Sequence, residues 1–287
     1  MKMTNDCLVC CTRGSLDAAR LATDDESKQQ EVLRRALSHL ATMNMDDPPP
    51  LMARFIQETI EALTGVSDPF KRLKDKYNDF ALELFPELEK KAAGKGFETA
   101  VRLTIAGNII DFGAHNSVGK KKVLSTIEEA LVQPLNGDVK KLEQACQNAG
   151  RILWLADNTG EIVFDKLLLA RLDREKVTYA VRGGPTQNDA TMEDAEYTGI
   201  TQMVTTIDTG AAIPGVILEH CSDEFRQVFE SADLIIAKGQ GNFETLDPED
   251  ERIFFLFKAK CPVVADRAGV ALHDIVIRQG GPDMSRK

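Results

Sequence analysis

The sequence lacks several features that would point to membranes, secretion or nucleic acids. In its 287 residues, no apolar run approaches the length of a membrane span. The N-terminal segment has no secretory hydrophobic region, because its apolar stretch is short and interrupted by cysteines. Acidic residues outnumber basic ones by 45 to 35, which argues against sequence-independent binding to nucleic acid, since such binding depends on a basic surface. The sequence therefore predicts a cytoplasmic protein that binds neither membranes nor nucleic acids.

Histidine and cysteine do not occur in the patterns that zinc requires. The four histidines form no pair at ligand spacing, so a histidine-built zinc site is not expected. Cys7, Cys10 and Cys11 form the cluster "CLVCC", but no second cysteine pair stands at a spacing that would complete a structural zinc site. Two interpretations of Cys7 and Cys10 stay open: a second metal site or redox pair, and a packing element of the first helix.

Nucleotide-binding fingerprints are missing as well. A dinucleotide fold would carry its glycine motif after the first strand and an acidic residue at the end of the second. Here the first loop reads "DNTGE", the second predicted strand ends at Arg182, and "GQG" at 239–241 lacks a third glycine. No Walker loop occurs. NAD and related nucleosides are therefore disfavoured as ligands.

The chain changes character near residue 148. Before it, apolar residues recur at helical spacing, and the predicted helices lie at 15–23, 31–43, 51–65, 70–93, 97–113 and 121–133. After it, β-rich runs at 151–156, 177–181, 203–207, 233–237 and 262–265 alternate with predicted helices at 160–172, 190–199, 222–232 and 249–259. Strands that are apolar on both faces and separated by helices indicate a parallel sheet flanked by helices. The predicted fold class is therefore α/β, with about five strands and an N-terminal all-helical domain.

In such a sheet, the ligand crevice lies beyond the carboxyl ends of the strands. Polar or glycine-bearing segments follow all five predicted strands, at 157–161, 182–189, 208–215, 238–244 and 266–267. Because these segments would meet at one edge, the sequence predicts a site there.

The side chains at this edge favour a hard metal ion and a phosphoryl group. Asp157, Asn158 and Asp189 offer carboxylate and amide oxygens, which suit magnesium or manganese. A tight turn or a helix cap is the alternative role for these residues. Lys238 and Arg182 add positive charge, and backbone amides of the glycine loops add donors. A metal, cations and amide donors at one point would neutralise the charge of a phosphoryl group in its transition state.

Three separated motifs, "LADNTGE", "GGPTQND" and "AKGQGNFETL", resemble those of the metal-dependent damage-control phosphatases, a family formerly called domain of unknown function 89. The N-terminal "CLVC", "AARLATDD" and "AGNIIDFG" resemble its compact microbial branch, which carries an N-terminal CxxC. The resemblance extends over nearly the whole chain, in order. It implies a helical domain at 1–147 against a Rossmann-like α/β metal-binding domain at 148–287.

The resemblance also implies an activity: hydrolysis of small phosphate monoesters, such as sugar phosphates or damaged metabolites, with manganese, magnesium, cobalt or nickel as the cofactor. By this resemblance Asp157, Asn158 and Asp189 would bind the metal, while Lys238 and Asn242 would contact the substrate phosphate. Asp157 and Lys238 would be catalytic, with either water or the Asp157 carboxylate as the nucleophile. Two other functions stay open: an S-adenosylmethionine-dependent carboxyl methyltransferase, and a non-catalytic metal- or metabolite-binding protein.

Further candidates for substrate binding lie in the same loops and in the helical part. Glu161 either is a first-turn acid favoured by the helix dipole or acts on the substrate or a metal ligand. Asn108 and Asp111 are three residues apart and so share one helix face, where they either end the helix in polar groups or contribute to the cleft. The remaining candidates are Arg182, Gly239, Asn242 and Glu244. The sequence does not predict an oligomeric state.

Overall fold

The computed structural model describes residues 1–109, 120–246 and 250–281. Six helices precede the main part of the sheet, and each overlaps one predicted helix. They are α1 (Asn5–Ala22), α2 (Glu26–Thr42), α3 (Pro50–Thr64), α4 (Lys71–Ala92), α5 (Phe97–Ile109) and α6 (Lys120–Val132). Of these, α1 begins ten residues and α2 five residues before its predicted start. Local chemistry sets their ends: the Asp25 side chain accepts from the backbone N–H groups of Ser27 and Lys28 at the start of α2, and Gly65, at φ 75°, ends α3.

A seven-stranded sheet forms the centre of the described structure. Its strands are β1 (Leu135–Asn136), β2 (Ile152–Leu155), β3 (Val177–Val181), β4 (Thr205–Asp208), β5 (Leu234–Lys238), β6 (Ile253–Lys258) and β7 (Ile275–Gln279), in the spatial order β1-β7-β6-β5-β2-β3-β4. Six helices connect or follow them: α7 (Val139–Asn148), α8 (Glu161–Leu169), α9 (Met192–Thr198), α10 (Asp223–Ser231), α11 (Gly239–Thr245) and α12 (Pro262–Ala268). The predicted α/β class, with a helix-flanked sheet, is confirmed.

The sheet differs from the prediction in four respects. It has seven strands where about five were predicted, because β1 and β7 lie in segments that were not predicted as strands. Residues 262–265, predicted as the fifth strand, form the start of α12, because Pro262 at the first helical position is compatible with a helix. Residues 249–259, predicted as a helix, instead contain strand β6, whose run "IFFLF" is fully buried. Such a run carries no periodicity that separates a buried strand from a buried helix. Asp266 and Arg267 therefore lie within α12 and not beyond a strand. Finally, β6 and β7 pair antiparallel, whereas the other pairs are parallel.

Both faces of the sheet are buried. Successive residues of β2 point to opposite faces: Ile152 and Trp154 pack in one hydrophobic cluster, which includes Ile105 of α5, and Leu153 packs in the other, which includes Phe225 of α10. A third cluster joins α4, α5 and α6 to α8. The helical part of the chain thus packs directly on the helix that follows β2. The division of the chain at 147/148 stays a prediction, and β1 lies before that point.

The topology brings three loops together. β2 pairs with β5 on one side and with β3 on the other, so that Trp154 stands between Ile236 and Tyr179. The segments after these three parallel strands therefore emerge side by side, at 157–161, 182–189 and 238–244. Within the described residues, no helix combines the length and the apolar character needed to span a bilayer.

Candidate active site

The loops after β2 and β3 are joined through their backbones. Two hydrogen bonds connect them: the N–H of Ala190 donates to the carbonyl of Asp157 (2.8 Å), and the N–H of Thr159 donates to the carbonyl of Asn188 (2.9 Å). Together they make an isolated antiparallel bridge between Asn158 and Asp189. The three predicted metal-binding residues therefore belong to one structural unit. The two loops hold each other in place, since each satisfies backbone groups of the other.

Two buried carboxylates share one amide donor in this unit. Asn108, at the end of α5, donates through Nδ2 to Asp157 Oδ2 and to Glu161 Oε2, both at 2.8 Å. Asp157 Oδ2 also accepts from Asn158 Nδ2 at 2.6 Å. Asp157 is 6% exposed and Glu161 1%, so little water reaches either group. The structure thus places Asn108 and Asn158 in hydrogen-bond contact with Asp157, and these two amides connect Asp157 to Glu161.

Negative charge predominates around the Asp157 carboxylate. Burial raises the pKa of Asp157 well above its usual range, and the charges of Glu161 and Asp189 raise it further, against opposing effects of Arg182 and Lys260. A carboxyl group whose pKa is raised by its neighbours is one that a bound cation would favour in its ionised form.

Arg182, the first residue after β3, approaches from the other side. Its Nε donates to Asp189 Oδ2 at 2.6 Å, and one terminal nitrogen donates to Asn242 Oδ1 at 3.3 Å. The other terminal nitrogen is buried and has no partner within the part of the chain that the structure describes. Burial raises the pKa of Asp189, although the Arg182 guanidinium lowers it. Arg182 also lines a cavity of about 570 Å³ between the α3–α4 connection and the loop after β3.

Lys238, at the end of β5, is fully buried and has a different environment from the one predicted. Its Nζ donates to Glu161 Oε1 and Asp165 Oδ1, both at 2.6 Å, and to the carbonyl of Thr104 at 3.3 Å. All three protons of the ammonium group therefore face protein oxygens. Burial alone would lower the pKa of Lys238, but the two carboxylates outweigh it and raise the pKa above its ordinary value. The geometry ties Lys238 to the position of Glu161.

Asp165, one helical turn after Glu161, completes the buried charge cluster. Its Oδ2 accepts from Tyr179 Oη at 2.7 Å and from Trp154 Nε1 at 3.1 Å. Burial raises the pKa of Asp165 to about 6, while Lys238 lowers it. The strands β2 and β3 thus supply the donors that hold this carboxylate in the core.

Gly239, the first residue of α11, makes the closest approach between the segment after β5 and Asp157. Its φ is +77°, and a Cβ at this position would lie 1.9 Å from Asp157 Oδ2. Only glycine fits, both because of its backbone conformation and because of this contact. Asn242, one turn later, donates to the carbonyls of Lys238 (2.7 Å) and Ala156 (3.2 Å). Its side-chain oxygen faces Arg182, so Asn242 connects the loop after β5 to the other two.

Other predicted residues lie apart from this group or outside the described ranges. Glu244 accepts from Gln240 Nε2 at 2.7 Å, and its backbone carbonyl accepts from the amino group of Met1. Burial raises the pKa of Glu244. No contact of Glu244 with the Asp157 group occurs among the described residues. Asp111 lies outside the described residues.

The cysteine cluster lies on α1. Cys7 is buried, with its thiol 3.3 Å from the hydroxyl of Thr4, and Cys10 is exposed. Burial raises the pKa of the Cys10 thiol and that of Cys11, the latter to about 12. A raised pKa reduces the thiolate fraction, which is the reactive and metal-binding form.

The residues around Asp157 fit an oxygen-bound divalent ion. Within the described ranges, no three histidine, cysteine or acidic side chains group as metal ligands, and the predicted set contains only two carboxylates, with Asn158 as an amide. Two observations nevertheless favour a cation. Asn108 Oδ1 is buried and has no donor among the described residues, and the carboxylates of Asp157 and Glu161 converge with their acceptor atoms 2.8 Å from one nitrogen. An unsatisfied amide oxygen beside two buried carboxylates suits a hard cation.

Sequence reasoning missed a set of buried polar residues behind the site. Lys74 and Asn78 lie on the buried face of α4, at the spacing of its apolar residues Ala81 and Leu84. Asp194, in the first turn of α9, is also buried. The signal that could have revealed the first two is a lysine and an asparagine at positions where the helical period requires apolar residues.

Comparisons with known proteins agree with this architecture. The family model of the damage-control phosphatase ARMT1-like domain matches residues 3–276. Damage-control phosphatase PH1575 of Pyrococcus horikoshii is 36% identical, with 92% of this chain and 93% of that protein covered. A damage-control phosphatase of Archaeoglobus fulgidus is 32% identical, with 97% and 99% covered. The crystal structure of the Pyrococcus horikoshii DUF89 family protein matches with a TM-score of 0.91 at 35% identity, over 98% of this chain and 99% of that one.

Proposed function

Because the chain belongs to the damage-control phosphatase ARMT1-like family, we propose that it is a divalent-metal-dependent phosphatase that hydrolyses small phosphate monoesters. One observation carries the proposal beyond membership of the family. Among the described residues, Asn108 Oδ1 on α5 is a buried acceptor without a donor, and one terminal nitrogen of Arg182 is a buried donor without an acceptor. Asn108 bonds Asp157 and Arg182 bonds Asp189, and these two carboxylates lie in adjoining loops. A cation beside a phosphate would satisfy both.

In this proposal Asp157, Asn158 and Asp189 hold the ion, which is manganese, magnesium, cobalt or nickel. A bound divalent ion supplies charge neutralisation and polarises a phosphoryl oxygen. Asn108 and Glu161 fix the orientation of the Asp157 carboxylate, since Asn108 donates to both carboxylates. Lys238 acts through Glu161, whose Oε1 it holds at 2.6 Å.

The free N–H group of Arg182 binds a phosphate oxygen. Charge-assisted hydrogen bonds from guanidinium to phosphate are among the strong ones, and Arg182 is kept in place because Asp189 and Asn242 occupy its other donors. The backbone around Gly239 approaches the same point. The nucleophile that attacks phosphorus is either water or the Asp157 carboxylate.

The adjoining cavity accommodates the alcohol part of the substrate. Its volume of about 570 Å³ is in the range of small-molecule sites. Its described lining contains glycines, polar residues and charged residues such as Asp68 and Glu193, but no aromatic side chain. This composition supports a polar phosphorylated metabolite over a nucleotide, whose base would be expected to stack on a ring. The CxxC of α1 supports assignment to the microbial branch.

The test is turnover of p-nitrophenyl phosphate and a panel of sugar phosphates by metal-stripped protein, with each divalent cation added back. We expect activity that requires a cation and falls by at least about a hundredfold in Asp157→Asn, as for other residues that contact the reacting group. Binding of Mn²⁺ without turnover of any ester would instead assign the protein as a non-catalytic metal-binding protein. Cation-independent turnover would contradict the metal dependence.

A further inference from the structure

We propose that Asn78 of α4 is a positioning residue that fixes both candidate metal-binding loops and thereby sets the affinity of the site for its cation. This inference rests on the proposed function. Asn78 is 1% exposed. Its side chain bonds both to the loop after β2 and to the start of α9, the helix that follows the loop after β3.

The first contact is with the turn that carries Asp157 and Asn158. Asn78 Oδ1 accepts from the backbone N–H of Gly160 at 2.8 Å. This N–H belongs to the N-cap residue of α8, where helical backbone donors have no partner within the helix. The turn lies directly against α4: Gly160 has a φ of +73°, and a Cβ there would be 3.0 Å from the carbonyl of Tyr77.

The second contact is with the start of α9. Asn78 Nδ2 donates to Asp194 Oδ1 at 2.9 Å. Asp194 Oδ2 accepts from the backbone N–H and the hydroxyl of Thr191, at 2.9 and 2.7 Å, which closes the capping box of α9. Thr191 forms an isolated bridge with Arg182, so this contact fixes the end of the loop that carries Asp189.

A buried lysine pairs with Asp194. Lys74 Nζ lies 3.2 Å from Asp194 Oδ2 and 3.2 Å from Asp68 Oδ2, and its side chain is 2% exposed. Asp68 lines the cavity beside Arg182. A continuous, largely buried path of hydrogen bonds and ion pairs therefore runs from the cavity to the turn at Gly160. Its side chains are those of Asp68, Lys74, Asp194 and Asn78.

The amide of asparagine supplies what this position needs. The side chain must accept from Gly160 and donate to Asp194 simultaneously, and the asparagine amide has one acceptor oxygen and a donor nitrogen. In Asn78→Asp, a carboxylate would face the carboxylate of Asp194 with no proton between them. Exchanging the two residues restores one donor and one acceptor between them, since the amide of Asp194→Asn can donate to the new carboxylate at position 78.

The test compares Mn²⁺ binding by titration calorimetry in the native protein, Asn78→Asp and the double variant Asn78→Asp/Asp194→Asn. We expect Asn78→Asp to bind Mn²⁺ about tenfold more weakly, because removing partners that orient metal ligands typically costs 10- to 100-fold in affinity. The double variant should recover binding to within about threefold. The kcat of p-nitrophenyl phosphate hydrolysis at saturating Mn²⁺ should change less than the concentration of Mn²⁺ that gives half-maximal activity.

Tyr197→Phe is the matched control. Tyr197 Oη donates to Asp79, so this contact also joins α9 to α4, but Tyr197 is 59% exposed and touches neither loop through that bond. We expect Tyr197→Phe to bind Mn²⁺ as the native protein does. Equal weakening by Tyr197→Phe would overturn the proposal, because general loosening of the two helices would explain both losses.

Three other outcomes decide the matter. Native affinity in a folded Asn78→Asp variant overturns the positioning role and leaves the proposed function intact. A native protein that binds no divalent cation overturns the proposed function, and this inference with it. If Asn78→Asp does not fold, the double variant decides: a folded double variant with native affinity supports the proposal, and one that binds at least tenfold more weakly overturns it.

Discussion

The buried cluster of Lys238, Glu161 and Asp165 should contribute strongly to the free energy of unfolding. Lys238→Met keeps the apolar stem and removes the ammonium, which leaves two carboxylates in a region where all three side chains are at most 1% exposed. Removing one member of a buried charge group typically costs about 3–5 kcal/mol, because the remaining charge is uncompensated. We expect a loss of this size in the free energy of unfolding at pH 7.5.

The assay is urea unfolding followed by circular dichroism, with Lys71→Met as the matched control. Lys71 also has two carboxylate partners, Asp75 at 2.5 Å and Glu193 at 2.8 Å, but its side chain is 42% exposed. An exposed ion pair contributes about 0–1 kcal/mol, so Lys71→Met should change the free energy of unfolding by at most that amount. A loss in Lys238→Met as small as that in Lys71→Met would refute the account of the buried cluster.

The difference in the free energy of unfolding between Lys238→Met and the native protein should depend on pH. The pKa of Asp165 in the folded protein is already raised to about 6 from 3.8, and loss of the ammonium raises it further. A carboxyl group with a raised folded-state pKa destabilises the fold when ionised, so stability recovers as the pH falls through that pKa. The difference between Lys238→Met and the native protein should therefore shrink between pH 7.5 and pH 5.

Three further predictions concern the loops and the cysteine cluster. Gly239→Ala should weaken Mn²⁺ binding at least about tenfold in calorimetry, because the new Cβ would overlap Asp157. The control is Gly269→Ala, where φ is a similar +68° but the space around the Cβ is open, and this variant should bind Mn²⁺ as the native protein does. Arg182→Lys should raise the inhibition constant of inorganic phosphate about tenfold in the p-nitrophenyl phosphate assay, because a lysine lacks the fork of guanidinium donors; an unchanged constant would contradict the role of Arg182. Cys10 should react with iodoacetamide more slowly than free cysteine at pH 7.5, as followed by intact-protein mass spectrometry, because its raised pKa lowers the thiolate fraction.

The sequence predicted that the loops of the candidate site meet at one edge of the sheet, for a definite physical reason. In a parallel sheet the residues after neighbouring strands must emerge at the same edge, and Asp157 and Asp189 follow strands that are adjacent. The backbone contacts between these loops agree with that argument. The family resemblance rests on the same segments.

The partners of Lys238 could not be predicted in the same way. Its position at the end of a buried strand was predictable, but whether the side chain turns towards a ligand or into the core depends on α8. Glu161 and Asp165 are four residues apart on that helix and so share one face, and Asp165 is surrounded in sequence by apolar residues. Only the packing of α8 on β2 and β5 shows that this face meets Lys238.

The errors in strand assignment have a similar cause. Residues 262–265 include two β-branched valines, and 253–257 are apolar throughout, so neither stretch has a period that distinguishes helix from strand. Tertiary pairing decides: Ile253–Lys258 pairs with both β5 and β7. Asn78 was missed because its importance lies in contacts 82 and 116 residues away along the chain.

The proposed function requires that a divalent cation and a phosphate group bind side by side between Asp157 and Arg182. The most direct measurement is the ³¹P longitudinal relaxation rate of inorganic phosphate in the presence of the protein and Mn²⁺. We predict a strong paramagnetic enhancement with the native protein, which Asp157→Asn abolishes by losing the ion and Arg182→Lys reduces by losing the phosphate. Native protein that binds Mn²⁺ but gives no enhancement above that of free Mn²⁺ would contradict the claim, because the two ligands would then not share a site.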